Sequence, residues 1–160
     1  VSGRIVVGIS ERAFSTVPGD LVVTHALGSC VGVAIHDPVA KIGGILHYML
    51  PLSSTDPEKA AANPFMFGDV GIPAFFKEAY ALGASRDRLR VVAAGGARVI
   101  EVGQTLDIGA RNVTIARKLF WKNSIMIAAE DLEGNKPRTL FLEVGSGRTW
   151  FTSRGEVNEL

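Results

Sequence analysis

One cysteine, Cys30, is all that the 160 residues contain. That excludes an internal disulfide and any metal site built from two or more thiolates. An excess of one charge is also missing. Seventeen Lys+Arg stand against sixteen Asp+Glu, a net +1 with no basic stripe, so neither nucleic acid nor an anionic membrane surface has an electrostatic footprint. Long hydrophobic runs are absent too. The longest stretch free of formal charge, Leu21 to His36, has 16 residues and is interrupted by Gly28 and Gly32. A bilayer span needs about 20 apolar residues, so membrane insertion is not expected. Val1-Ser2-Gly3-Arg4 has none of the apolar character of a secretory signal, which with the lone thiol sets the expectation of a cytoplasmic protein. No repeat, linker or low-complexity block divides the chain, so one domain over residues 1–160 is expected.

What is present is a near-average globular composition, 47% hydrophobic and 21% charged, which is enough apolar material for a packed core. Runs with strand character are Ile5–Val7, Leu21–Val23, Val31–Ile35, Ile42–Leu46, Leu89–Ala93, Ile125–Ala129, Leu140–Val144 and Thr149–Phe151. Two segments have helical spacing. Ile72, Phe75, Phe76, Ala79 and Leu82 form one face, with Asp69 as the expected cap, Pro73 in the first turn and Gly83 as the stop. Val113, Ala116, Leu119 and Phe120 form the other, with Arg117, Lys118 and Lys122 placed favourably for the helix dipole. Some eight strands against two helices predict an α+β fold of packed sheets rather than alternating βαβ units. Ser53 to Gly68 is expected to be a surface loop or short helix.

The most informative stretch runs from Cys30 to His47. Asp37-Pro38 is a turn signal between two apolar runs, which predicts a β-hairpin. A two-residue loop at Pro38-Val39 and a four-residue loop from Asp37 to Ala40 both give the same register, which sets Cys30 directly opposite His47. Opposed residues point to one face with Cβ atoms about 4.5–5.5 Å apart, so a thiol and an imidazole would meet there. Val31, Val33 and Ile35, with Ile42 and Leu46 across the hairpin, make the aliphatic face, and Cys30 lies on the other. Gly28-Ser29 before the cysteine forms a turn that can aim the backbone N–H groups of Ser29 and Cys30 at a developing oxyanion. Thr24, near the end of the preceding strand, can orient the imidazole. The pattern is that of a cysteine nucleophile with an imidazole base. The competing reading makes Cys30 a small buried hydrophobe and His47 a hydrogen-bonded strand residue.

Other signals point less sharply. His25, His36 and His47 lie on different strands without a short ligand pair, so no metal site is expected. Ala94-Gly95-Gly96-Ala97-Arg98 lacks the Lys-Ser/Thr ending of a phosphate loop, and Gly95-Gly96 reads as a backbone bend beside the hairpin. Gly109 to Asn112 reads as a helix start. Arg111 and Asn112 either touch substrate or cap and hydrogen-bond locally. Phe65-Met66-Phe67 is either an exposed docking point for a partner helix or a loop folded onto the core.

Taken together, these pieces resemble the CheD family, the chemoreceptor glutamine deamidases of bacterial and archaeal chemotaxis. The matching residues are Leu27-Gly28-Ser29-Cys30-Val31, Asp37-Pro38-Val39-Ala40-Lys41-Ile42-Gly43, Leu46-His47 and Met49-Leu50-Pro51. Further on come Gly95-Gly96-Ala97, Ile108-Gly109-Ala110-Arg111-Asn112-Val113, Glu130-Asp131, Gly134-Asn135 and Arg138. They occur in family order and cover almost the whole chain. Two departures stand out: Glu133-Gly134 replaces a Gly-Gly pair, and Gly68 is inserted between Phe67 and Asp69.

The resemblance implies a layered α/β fold with helices outside the sheets, and a Cys-His-Thr site at Cys30, His47 and Thr24. It implies hydrolysis of glutamine side-chain amides on chemoreceptor cytoplasmic helices through a thioester, with no cofactor and with glutamyl methylesterase action as a side activity. Phe67 and Asp69, with Arg111 and Asn112, are the expected substrate or partner contacts. A CheC-type phosphatase is the other partner the family implies, and binding it without catalysis is the alternative role.

Overall fold

Ten strands and three α-helices make up the described part of the chain, residues 3–98 and 107–160 of this computed structural model. Val1 and Ser2 of the amino-terminal stretch lie outside it. The strands are β1 (Arg4–Val7), β2 (Glu11–Ser15), β3 (Leu21–Leu27), β4 (Val31–Asp37), β5 (Ile42–Tyr48), β6 (Arg90–Gly95), β7 (Ile127–Leu132), β8 (Arg138–Glu143), β9 (Thr149–Ser153) and β10 (Glu156–Glu159). The helices are α1 (Pro57–Ala62), α2 (Gly68–Ala81) and α3 (Ile108–Lys122).

Two five-stranded sheets result, one ordered β1-β3-β8-β9-β10 and the other β2-β5-β4-β6-β7. Apolar patterning decides which is covered on both sides. Every residue of β4 and β5 is buried, whereas β8 and β9 alternate buried and half-buried. The second sheet is therefore the middle layer. One of its faces meets the first sheet through Val22, Leu27, Leu140 and Leu142 against Ala34, Ile45, Val92 and Ala94. Its other face carries Val31, Val33, Ile35, Leu46 and Tyr48, and α2 and α3 lie on it through Ile72, Phe75, Phe76, Val113, Ala116 and Phe120. Phe75 and Phe120 are fully enclosed, and each contributes about 2–3 kcal/mol by leaving water. The layers are sheet, sheet, helices, an α+β arrangement as the patterning predicts.

Several local expectations need correction. The hairpin register is Asp37↔Ile42, Gly32↔His47 and Val31↔Tyr48, two residues away from the predicted one. The loop is Pro38 to Lys41, with Lys41 at φ +57° and its N–H on the Asp37 carbonyl. A two-residue shift keeps both faces as expected but moves Cys30 from directly opposite His47 to the diagonal position. Asp69 does not cap α2. Phe67 is the N-cap, and Asp69 instead accepts the Ser53 N–H (2.9 Å) and hydroxyl (2.8 Å). Pro73 lies beyond the first turn, inside α2. Ser53 to Gly68 holds α1 between two short 3₁₀ turns. The edge strands β2 and β10 were not predicted, and β7 begins two residues after the apolar run that suggested it.

Candidate active site

Thr24 lies on β3 in the first sheet and His47 on β5 in the second, so they meet across the sheet interface. Both are fully buried. Thr24 Oγ1 is 2.7 Å from the Val7 carbonyl of the adjacent β1 and 2.6 Å from His47 Nδ1. A carbonyl can only accept, so the single hydroxyl proton goes to Val7 and the hydroxyl oxygen must accept from Nδ1–H. That fixes the tautomer. The Nδ1–H form leaves Nε2 with a lone pair, and among the described residues Nε2 has no hydrogen-bond partner. Burial holds the imidazole pKa down, to about 4, so the ring is neutral at physiological pH.

Cys30 stands just before β4, on the same face of the hairpin as His47. Gly32 is directly opposite His47, so no side chain of β4 competes for that place, and Cys30 is the diagonal neighbour. Diagonal residues on paired strands are about 7–8 Å apart at Cα, a gap an imidazole can cross. Cys30 is 8% exposed, nearly enclosed but open to the surface. Burial pushes its thiol up to about 11, against a smaller opposing pull from its own backbone N–H. The resting pair is thus neutral thiol and neutral imidazole. Iodoacetamide is expected to alkylate Cys30 slowly at pH 7, with a rate rising about tenfold per pH unit toward pH 11. A rate already on its plateau at pH 7, followed by intact mass, would contradict this.

The turn before Cys30 is fixed from outside the hairpin. The Gly28 carbonyl accepts Ala97 N–H (2.8 Å), the Cys30 carbonyl accepts Gly96 N–H (2.8 Å), and the Ser29 carbonyl accepts Asn112 Nδ2 (2.9 Å). In a planar trans peptide the C=O and the next N–H point in opposite directions. Drawing the carbonyls of Gly28 and Ser29 toward Ala97 and α3 therefore turns the N–H groups of Ser29 and Cys30 the other way. Among the described residues, neither N–H donates to a backbone carbonyl outside the sheet ladders. The glycine bend beside the hairpin is where sequence placed it. Gly95, at φ +114°, approaches so closely that a Cβ would lie 2.3 Å from the Cys30 carbonyl oxygen. Arg138, nearly enclosed and paired with Asp131 at 2.7 Å, secures the Gly95 carbonyl at 3.2 Å.

The remaining candidates divide. Phe67 is fully buried and Phe65 nearly so, which makes that segment a loop folded onto the core. Phe67, expected as a substrate or partner contact, has no part of its ring at the surface in this structure. Asn112 is likewise fully enclosed, with its amide donating to Ser29 and Met49 carbonyls, so it does not face an incoming substrate. Asp69 is half-buried and engaged with Ser53, and Arg111 is exposed in the first turn of α3. His25 is exposed and His36 is bound to the Val144 carbonyl at 2.8 Å, each apart from His47. Tyr48 was missed. Its hydroxyl donates to the Asn112 carbonyl at 2.6 Å, tying β5 to α3 right beside His47.

Comparison with known proteins places this geometry in context. Residues 49–153 match the family model described as CheD chemotactic sensory transduction. The "Probable chemoreceptor glutamine deamidase CheD 1" of Syntrophus aciditrophicus is 47% identical over 96% of this chain and 96% of its own. The "Probable chemoreceptor glutamine deamidase CheD" of Solibacter usitatus is 45% identical over 98% of this chain and 93% of its own. Thr24, Cys30 and His47 precede the family-model match but fall within the span shared with both relatives. Among solved structures, the Bacillus licheniformis hypothetical protein YfiH aligns with a TM-score of 0.45 and 16% identity over 78% of this chain and 49% of that one, a likeness too remote to carry an argument. With a family model matched over 49–153 and relatives this similar along nearly the entire sequence, the chain belongs to the CheD family of chemotactic sensory transduction proteins.

Proposed function

We propose that the protein deamidates glutamine side chains on the cytoplasmic helices of chemoreceptors, with Cys30 as nucleophile, His47 as general base and acid, and Thr24 as the residue that orients His47. The observation that carries this is a His47 held in its Nδ1–H tautomer, with Nε2 unpartnered among the described residues, on the face that also holds the chain's one thiol. Kinship with relatives named as chemoreceptor glutamine deamidases supplies the substrate class.

Attack begins from the neutral pair. His47 Nε2 takes the Cys30 proton as the sulfur bonds to the amide carbon, and the carbonyl oxygen becomes an oxyanion held by the N–H groups of Ser29 and Cys30. The imidazolium returns the proton to the amide nitrogen, the C–N bond breaks, and ammonia leaves a thioester. Water then gives a proton to His47 and attacks the thioester carbon. The C–S bond breaks and the sulfur recovers its proton. The net change is amide plus water to carboxylic acid plus ammonia, without a cofactor, and each event adds one negative charge to a receptor helix at neutral pH. Glutamyl methyl esters are open to the same steps with methanol as leaving group. Exposed Arg111 is assigned to the receptor side of the site. The setting is the cytoplasm, and among the described residues no helix is long and apolar enough to cross a membrane.

Intact-mass analysis of receptor cytoplasmic fragments tests the reading. A gain of about 1 Da per glutamine in ordinary water, and about 3 Da in H₂¹⁸O, is expected from hydrolysis through an acyl-enzyme. No gain on any cognate receptor, with Cys30 reduced and the protein folded, would refute it. A CheC-type phosphatase is the alternative partner. A role confined to binding it predicts that Cys30→Ala keeps its effect on chemotaxis.

Thr24→Val tests the orienting role. Valine keeps the shape but strips His47 Nδ1 and the Val7 carbonyl of their partner, at about 1–3 kcal/mol for a buried unsatisfied group. If that cost falls on the transition state, kcat drops about 5- to 150-fold with unchanged circular dichroism. Thr24→Ser, which keeps the hydroxyl, should retain most of the rate.

A further inference from the structure

The β4–β5 ladder ends at Val31↔Tyr48. Just beyond it, the Asn112 carboxamide stands across the gap, with Nδ2 2.9 Å from the Ser29 carbonyl on one strand end and 2.9 Å from the Met49 carbonyl on the other. It thus substitutes for the next rung, one N–H to each side. The amide cannot be turned over, since two carbonyls face the group and only –NH₂ can serve both. The helix is itself held to β5 by the Tyr48 hydroxyl on the Asn112 carbonyl at 2.6 Å. The Asn112 side chain is fully buried, and its Oδ1 has no partner among the described residues. A buried acceptor left idle is costly, about 1–3 kcal/mol, which packing alone would not favour over an apolar residue at this position.

We infer that Asn112 is a positioning residue for catalysis: by holding the Ser29 carbonyl, it fixes the Ser29–Cys30 peptide plane so that the Cys30 N–H faces the developing oxyanion. The inference rests on the acyl-transfer reading above. Releasing the Ser29 carbonyl frees that plane to rotate, and the Cys30 N–H then no longer stands preorganised. Cys30 stays anchored from its other side by the Gly96 N–H on its carbonyl, which keeps the sulfur in place, and the imidazole and the Thr24 bond lie on other strands. The effect is therefore confined to steps that form an oxyanion.

That selectivity supplies the test. Asn112→Ala and Asn112→Ser are compared with the wild-type protein in two reactions: deamidation of a receptor fragment, and alkylation of Cys30 by iodoacetamide, which uses the thiol but forms no oxyanion. Loss of one oxyanion donor costs about 10²- to 10³-fold in kcat. Deamidation by Asn112→Ala is expected to fall by about that much with KM changed less than threefold, while its alkylation rate and pH profile stay within threefold of wild type. Asn112→Ser, which retains one donor, should fall between. Unchanged deamidation would overturn the inference, and so would an equal loss in both reactions. Failure of both variants to fold would also overturn it, since the amide would then be holding the fold rather than one peptide plane. An inactive wild-type protein is a different result and counts against the deamidase reading itself.

Discussion

Cys30→Ala is expected to abolish receptor deamidation, a loss on the order of 10⁴-fold or more, and His47→Gln to lose nearly as much. The two act as one unit. Without the sulfur there is no acyl acceptor, and without Nε2 there is nowhere for the thiol proton to go. A thiol held near pKa 11 is almost wholly protonated at neutral pH, so His47 must accept the proton during attack rather than before it. The double variant should consequently be no slower than the worse single one. Additive losses would mean that the residues work independently and would sink the paired mechanism.

The pH profile is equally specific. kcat/KM reports ionisations of the free protein, and His47 titrates at about 4 because burial opposes its charge. Activity should stay level through pH 6.5, where an ordinary histidine would titrate, and fall only as pH approaches 4. A preformed thiolate–imidazolium pair would require a lowered thiol pKa, opposite to the direction that burial of Cys30 produces. An acid limb of kcat/KM centred near 6.5 would show that the imidazole is not shielded in the free protein.

Parts of this site were legible because they depend on alternation. The period of two in Val31, Val33 and Ile35 placed Cys30 on the opposite face, and that face is the one turned to the first sheet and to Thr24. Register is another matter. Shifting a strand by one residue exchanges its faces, but shifting it by two does not, so hydrophobic pattern cannot tell the two-residue alternatives apart. The turn makes that choice, and here it places a lysine in the left-handed region, a conformation more often supplied by glycine or asparagine. Edge strands β2 and β10 were missed for a related reason: Glu11-Arg12-Ala13-Phe14-Ser15 and Glu156-Val157-Asn158-Glu159 carry charges where a sheet edge meets water. Asn112 did leave a trace. It shares the buried face of α3 with Val113, Ala116 and Phe120, and a polar amide on an apolar face predicts a hydrogen-bonding task. Which carbonyls it meets depends on how α3 docks, and no local pattern carries that.

The residue that sets the register is expected to carry the largest single stability effect. Asp37 is a fully enclosed carboxylate at the end of β4. It accepts the N–H groups of Val39 (2.9 Å), Ala40 (3.0 Å) and Ser85 (2.9 Å), and pairs with Arg88 at 3.0 Å. Burial alone would raise its pKa, but the Arg88 guanidinium and the three N–H donors outweigh it and hold the carboxyl well below the usual range. The first two donors wrap the Pro38–Lys41 loop around the side chain, which favours Asp37↔Ile42 over the slipped alternative. Asp37→Ala leaves three backbone donors unmatched. Arg88 is partly exposed and can rehydrate, so its share of the loss is small. The expected destabilisation is about 3–5 kcal/mol, measured by urea unfolding at pH 7, with Asp37→Asn at about half that because a neutral amide still accepts. The sign of the pH dependence follows from the lowered pKa. The carboxylate's contribution is complete above the unfolded value of about 4 and is withdrawn only as pH falls below that toward the folded value. The gap between wild type and Asp37→Asn should therefore be constant from pH 7 to pH 5 and close below pH 4. A gap that is independent of pH down to pH 2 would assign the stabilisation to shape rather than charge.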